Sequence, residues 1–349
     1  MQERMQAAQA ARAESQGEQT ARSASPVRTE GADVFGAIVQ AMSKEERAKL
    51  QDPKLDQRAR FGLIIKAIEE KPELEKALGK QLEQRDRFSQ QFTETQVRAM
   101  NNGREMSGAE LFKNGFELHS HTSAVTNWDD GEEVRQVYYP EICEKVKELT
   151  GATHTFCANH LRRNSDLSGV MAKLFGVATA PIESVHNDFT SIYGDALIRS
   201  FEQEDGVTFG NVDEMKAAGV TEEVMRNSRL VMVNTWRSVS DEPLQRNPLA
   251  VCDVRTVGLD ELVASRLGGN ADSLEVYSSM FSPEHEWYYY PEMNKDEVLM
   301  ILTYDSAMTP FVPTLHTSFS VPGMPEDAPA RRSCEARVLC LLPNEAAKL

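Results

Sequence analysis

Three side chains that could share one chemistry lie far apart in this sequence, and any fold that uses them must bring them back together. His186 and Asp188 stand in PIESVHNDFT; His316 stands in PTLHTSFS, 130 residues further on (316 − 186). Arg331 and Ser333 follow in PARRSCEARVLCLL. None of these runs has a helical period. Val185, His186 and Asp188 sit in an extended, β-leaning stretch, and His316 lies in a Thr- and aromatic-rich run bounded by Pro313 and Pro322. Residues i and i+2 of a strand point to the same face, so His186 and Asp188 can reach one ligand together. Along the last run Arg331, Ser333, Glu335 and Arg337 share one face, while Cys334, Ala336 and Val338 share the other. Strands this remote in sequence converge in a double-sheet jelly roll, whose inward side chains enclose a cavity.

His-x-Asp by itself carries little, because a chain with 7 His and 54 Asp+Glu contains roughly one such match by chance. Joined to a distant histidine it gains meaning. Two imidazoles and one carboxylate bind one face of an Fe(II) ion and leave the other face open for co-substrate and O2. An Arg-x-Ser pair after them offers a planar two-pronged donor suited to the far carboxylate of 2-oxoglutarate. His186, Asp188 and His316 are therefore the expected metal ligands and catalytic set. Arg331 and Ser333 are the expected cofactor-binding pair. Arg337 is the second choice for that anchor, since it shares their strand face. The competing reading makes His186 an ordinary strand histidine and the two arginines surface ion pairs.

The stretch Phe116–Leu342 resembles the hydroxylase/desaturase family typified by AsaB and CmcJ. The matching phrases are VYYPEICEKVKELTGA, NHLRRNS, VHNDFT, VNTWRSV, NPLAVCDVRTV, EHEWYYYPEMNKDEVLM, TYDS, LHTSF and RRSCEARVL, in the family's order. The resemblance implies a non-haem Fe(II)/2-oxoglutarate oxygenase that hydroxylates or desaturates an unactivated C–H bond of a small molecule, with succinate and CO2 as co-products. The Asn-x-Trp-Arg phrase is characteristic of the family, which implies a substrate-side role for Asn234, Trp236 and Arg237. Arg163, from the Arg162–Arg163 pair, is added to that set as a pocket or lid residue. On strand parity Asn234, Trp236 and Ser238 share one face, with Thr235 and Arg237 on the other. Arg332 departs from the family, which often has an acidic residue there.

Composition sets the remaining bounds. A formal charge of −16 argues against nucleic-acid or anionic-membrane partners. Five cysteines, scattered without C-x-x-C pairing, read as reduced thiols of a cytoplasmic protein. No apolar run approaches a membrane span. Residues 1–31 are Gln-, Ala-, Ser- and Arg-rich and read as disordered. Residues 32–101 have a helical period, with Phe35, Ile38, Val39 and Met42 on one stripe. They read either as padding on the catalytic domain or as a helical extension for self-association or a protein partner. NNGREMSG (101–108) breaks the pattern, and the many short strands over 108–349 fit an α+β chain with a double-stranded β-helix, a cupin-like jelly roll, flanked by helices.

Other enzyme classes lack their signatures: there is no G-x-S-x-G elbow, phosphate-binding loop or H-E-x-x-H helix. Two rivals stay open at this point. One is a non-catalytic metal-binding jelly roll acting as a sensor or scaffold. The other is a metal-dependent enzyme with the same three ligands that does not use 2-oxoglutarate.

Overall fold

A computed structural model describes residues 95–165, 181–203, 212–266, 275–325 and 327–344. The leader expected over 1–31 and nearly all of the helical extension expected over 32–101 lie outside them. Among the described residues twelve strands run in chain order: β1 Asn101–Asn102, β2 Phe116–Ser120, β3 His154–Asn164, β4 His186–Asn187, β5 Ser228–Ser238 and β6 Leu249–Cys252, then β7 Leu262–Arg266, β8 Glu275–Ser279, β9 Trp287–Tyr289, β10 Glu297–Asp305, β11 His316–Ser318 and β12 Arg332–Pro343. They form a seven-stranded sheet, β1-β9-β6-β11-β4-β8-β7, and a five-stranded sheet, β2-β10-β5-β12-β3. Pairing is antiparallel throughout except between β1 and β9. This double sheet is the expected jelly-roll core. NNGREMSG, read from the sequence as a break, instead contributes β1 to the larger sheet and a 3-10 turn at Gly103–Glu105. Arg104 fastens that turn by a two-pronged pair with Glu297 at 2.7 and 2.9 Å.

The smaller sheet explains its own sequence. β5 and β12 are near-continuous apolar runs because both faces of the sheet are covered. Helix α1 (Tyr139–Thr150) covers the outer face, with Ile142 and Val146 one helical repeat apart on its buried stripe. Pro140 stands in its first turn, and it stops at Gly151, whose φ of 70° suits a left-handed cap. Against it pack Val231, Val233, Cys334, Ala336, Val338 and Cys340.

The inner face carries two apolar clusters with a polar belt between them. One cluster joins Phe116, Trp236, Leu299 and Ile301 to Leu249 and Val251 of the facing sheet. The other joins Leu230, Met232, Leu339 and Leu341 to helices α2 (Tyr193–Gln203), α3 (Val212–Ala217) and α4 (Glu222–Asn227). Asn234, Glu335 and Arg337 fall in the interval, all under 10 % exposed. Buried polar groups need partners, so such a belt in a closed core marks a place where polar ligands are handled.

Candidate metal centre and active site

His316 in β11 stands directly opposite His186 in β4, and the two rings lie 4.5 Å apart between centroids. β4 is shorter than the sequence implies, so Asp188 sits one residue past its end. Asn187 makes that ending rigid. Its buried amide donates to the carbonyls of Phe189 at 2.6 Å and Thr303 at 2.9 Å. With Asn187 tied one way, Asp188 is left pointing back toward His186, and Asp188 Oδ1 lies 3.9 Å from His186 Nε2. One donor atom from each of His186, Asp188 and His316 falls within 4.8 Å of the others, a spread that one ion can bridge.

The protonation states suit a metal. His186 Nδ1 faces the Ser184 carbonyl at 2.8 Å, and His316 Nδ1 faces the Thr314 carbonyl at 3.2 Å. A carbonyl only accepts, so each Nδ1 carries a hydrogen and Nε2 is the ring nitrogen left to face an ion. Burial pushes the His186 imidazolium down to about 4, and the neighbouring His316 adds to this while Asp188 opposes it. His186 is therefore neutral at pH 7. Burial raises the Asp188 carboxyl, but Arg337, the two imidazoles and Asn234 outweigh it and hold the group well below the usual carboxylate range. Two imidazoles and one ionised carboxylate are the donor set Fe(II) takes.

Arg337, the second choice as cofactor anchor, is committed elsewhere. Its Nε donates to Asp188 Oδ2 at 2.9 Å, and its Nη2 lies 2.8 Å from Asp188 Oδ2 and 2.9 Å from Glu335 Oε1. Asn234, expected on the substrate side, is also bound to the Asp188 carboxylate, with its Nδ2 2.5 Å from Asp188 Oδ2. Arg237 lies on the opposite strand face, over the rings of Trp128 and Tyr138, and donates to the His121 and Lys295 carbonyls. That face belongs to the α1 side, so a pocket role for Arg237 does not fit. Trp236 is buried in the inner core. Arg163 is 7 % exposed, cross-strand from Ser333, and stays within the belt.

Arg331 is 2 % exposed and lies over the Trp236 ring at 5.0 Å. Its Nε donates to Ser333 Oγ at 3.0 Å and its Nη1 to the Asn247 carbonyl at 2.8 Å. Both acceptors are neutral, and no carboxylate stands within ion-pair distance of it among the described residues. Burial, joined by the positive charge of Arg163, pushes the guanidinium down to about 9, which leaves it cationic at neutral pH. A buried cation with only neutral partners is costly, and an anionic ligand would compensate it.

Sequence reasoning missed Asn247, Thr303 and the partners of Glu335. Asn247 precedes Pro248 with φ of 49°, a backbone state that Asn tolerates better than most residues, and this turns its carbonyl toward Arg331. The Asn-Pro dipeptide was a turn signal, but it does not say which way the carbonyl points.

Two half-buried histidines predict a pH response. His186 and His160 both have folded values near 4, set chiefly by burial, below the ordinary 6.5. The unfolded chain thus takes up these protons first, and stability present above pH 6.5 is lost as pH falls toward 4. The slope is at most about 1.4 kcal/mol per pH unit for His186, and less for the partly exposed His160. Urea unfolding of metal-free protein is expected to show lower stability at pH 5.5 than at pH 7; equal or higher stability at pH 5.5 would contradict this account.

Known proteins converge on the same chemistry. Residues 66–341 match the profile of a family described as Oxidoreductase/YMDC permease-like domain. Alpha-ketoglutarate-dependent dioxygenase phiK of Fungal sp. is 30% identical over 236 residues, covering 66% of this chain and 78% of the relative. Hydroxylase/desaturase efuI of Hormonema carpetanum is 28% identical over 249 residues, covering 66% and 77%. Among solved structures, the iron and alpha-ketoglutarate-dependent endoperoxidase NvfI aligns with a TM-score of 0.57 at 26% identity, over 70% of this chain and 85% of that one. No helix among the described residues is long and apolar enough to cross a membrane. Profile, relatives and double-sheet fold agree, and the chain belongs to this family as an Fe(II)/2-oxoglutarate-dependent dioxygenase of the hydroxylase/desaturase kind.

Proposed function

We propose that His186, Asp188 and His316 hold the Fe(II), and that Arg331 with Ser333 receives the far carboxylate of 2-oxoglutarate. The observation that carries this reading is Arg331 itself, a buried guanidinium whose hydrogen bonds end on neutral oxygens. A two-pronged cation with spare donors matches a carboxylate in shape and charge. A non-catalytic metal-binding jelly roll would have no use for it. When bound, the iron and its co-substrate supply O2 activation, with 2-oxoglutarate oxidised to succinate and CO2. The protein's part is positioning: His186 and His316 present Nε2, Asp188 presents an ionised oxygen, and the closed double sheet keeps water from the reacting C–H bond.

On the substrate side we retain Arg163 and set Asn234, Trp236 and Arg237 aside, given what each of them touches. The substrate is a small molecule. The five cysteines are all unpaired and four are buried, which supports a reducing, cytoplasmic setting. The charge of −16 supports a protein without nucleic-acid or anionic-membrane partners.

Anaerobic titration of metal-free protein with Fe(II), with and without 2-oxoglutarate, tests the assignment. A visible charge-transfer band that requires both additions is expected. Iron binding with no band would reject the 2-oxoglutarate half of the reading.

A further inference from the structure

We propose that Arg337 and Asn234 form a positioning clamp that makes Asp188 a one-oxygen metal ligand, an inference that rests on the reading of His186, Asp188 and His316 as the iron site. The two oxygens of this carboxylate have different surroundings. Oδ2 faces Arg337 Nε at 2.9 Å, Arg337 Nη2 at 2.8 Å and Asn234 Nδ2 at 2.5 Å. Oδ1 is the oxygen turned to His186 Nε2. An oxygen met by three N–H donors has no lone pair left for an ion, so the metal can be met by Oδ1 alone.

Both arms of the clamp are braced from behind. Arg337 Nη2 also reaches Glu335 Oε1 at 2.9 Å, and Nη1 donates to Asn159 Oδ1 at 3.2 Å. The guanidinium plane is thus fixed on three sides. Asn234 Nδ2 donates to the same Glu335 Oε1 at 3.0 Å, while its Oδ1 faces the Thr303 hydroxyl at 3.0 Å. Carboxylates on one end and a hydroxyl on the other decide which way this amide points. Thr303 reaches it because a bulge between Leu302 and Tyr304 inserts Thr303 into β10 opposite β5. Glu335 takes a second share of the Arg337 charge, so Asp188 is not neutralised by it. One-oxygen ligation has a functional consequence. Three protein donors leave open positions for a chelating co-substrate and O2, whereas a second carboxylate oxygen would take one of them.

Metal binding alone tests the clamp. Metal-free protein is titrated with Mn(II), read from the loss of the free-ion EPR signal, and with Co(II), read from its visible spectrum. Arg337→Lys keeps the charge but loses the fork, and Asn234→Ala leaves every charge in place; thermal unfolding confirms that each is folded. Both variants are expected to bind Mn(II) 10- to 100-fold more weakly and to alter the Co(II) band. Affinity and spectrum unchanged in both, with binding lost in His186→Ala, would overturn the clamp and leave the site standing. If the unaltered protein binds neither ion, the site reading falls and the clamp with it. A purely electrostatic Arg337 would show a normal Arg337→Lys, and that result too would count against the proposal.

Discussion

His316→Ala is expected to abolish turnover by removing the metal while leaving the protein folded. The loss in Fe(II) affinity should be on the order of 10³-fold, about 4 kcal/mol, because one of three protein donors disappears. The remaining pair cannot compensate. His186 is fixed by its hydrogen bond to the Ser184 carbonyl, and the second oxygen of Asp188 is held by Arg337 and Asn234. Stability should fall less. His316 is 2 % exposed, so alanine leaves a small void and strips the Thr314 carbonyl of its donor, together costing roughly 1–3 kcal/mol. His160→Gln is the control: this histidine contacts Tyr139 at 2.9 Å and touches no metal-ligand candidate. Anaerobic equilibrium dialysis with Fe(II) separates the two. A His316→Ala protein that retained iron at the unaltered affinity would remove His316 from the ligand set.

Strand parity was legible in the sequence, and it proved sound. Arg331, Ser333, Glu335 and Arg337 do share a buried face, and Cys334, Ala336 and Val338 do back onto the helix that ends at Gly151. What parity cannot supply is register, the question of which residue lies opposite which. Arg331 and Arg337 were interchangeable on parity alone. Pairing separates them, because Arg337 stands across from Asn234 beside the Asp188 carboxylate, whereas Ser333, the partner of Arg331, stands across from Ser238 and Arg163. The Asn-x-Trp-Arg phrase shows the same limit. Its asparagine is bonded to Asp188, its tryptophan sits in the core and its arginine lies on the far side of the sheet. Bulges were invisible for a related reason: one extra residue in a strand has no composition signature, yet the bulge at Thr303 lets its hydroxyl brace Asn234. Distance in the chain, not chemistry, hid these contacts.

Arg331→Met should separate stability from function in opposite directions. The guanidinium occupies an enclosed site, its hydrogen bonds end on Ser333 Oγ and the Asn247 carbonyl, it lies over the face of Trp236, and Glu335 offsets its charge only in part. Methionine has similar reach, packs well against an aromatic ring and carries no charge to desolvate. The acceptors it abandons are partly provided for, since the Asn247 carbonyl also receives the Ser318 hydroxyl at 3.2 Å. Exchange of a poorly compensated buried ion for an apolar side chain of similar volume is often neutral or stabilising. The metal-free variant is therefore expected to unfold at the same temperature or a few degrees higher. Its response to 2-oxoglutarate should fall to a small residue. With the metal site filled, the unaltered protein gains about 2.7 kcal/mol at a ligand concentration of 100 Kd. Loss of a two-pronged charged contact should weaken 2-oxoglutarate at least ~100-fold, about 3 kcal/mol, and erase most of that gain. Arg331→Lys keeps the charge without the fork and should fall between the two. Thermal unfolding with metal alone and with metal plus 2-oxoglutarate reads both effects in one experiment. A uniform drop in both conditions would make Arg331 a structural residue; an unchanged or raised metal-only midpoint with no shift on adding 2-oxoglutarate identifies it as the co-substrate anchor.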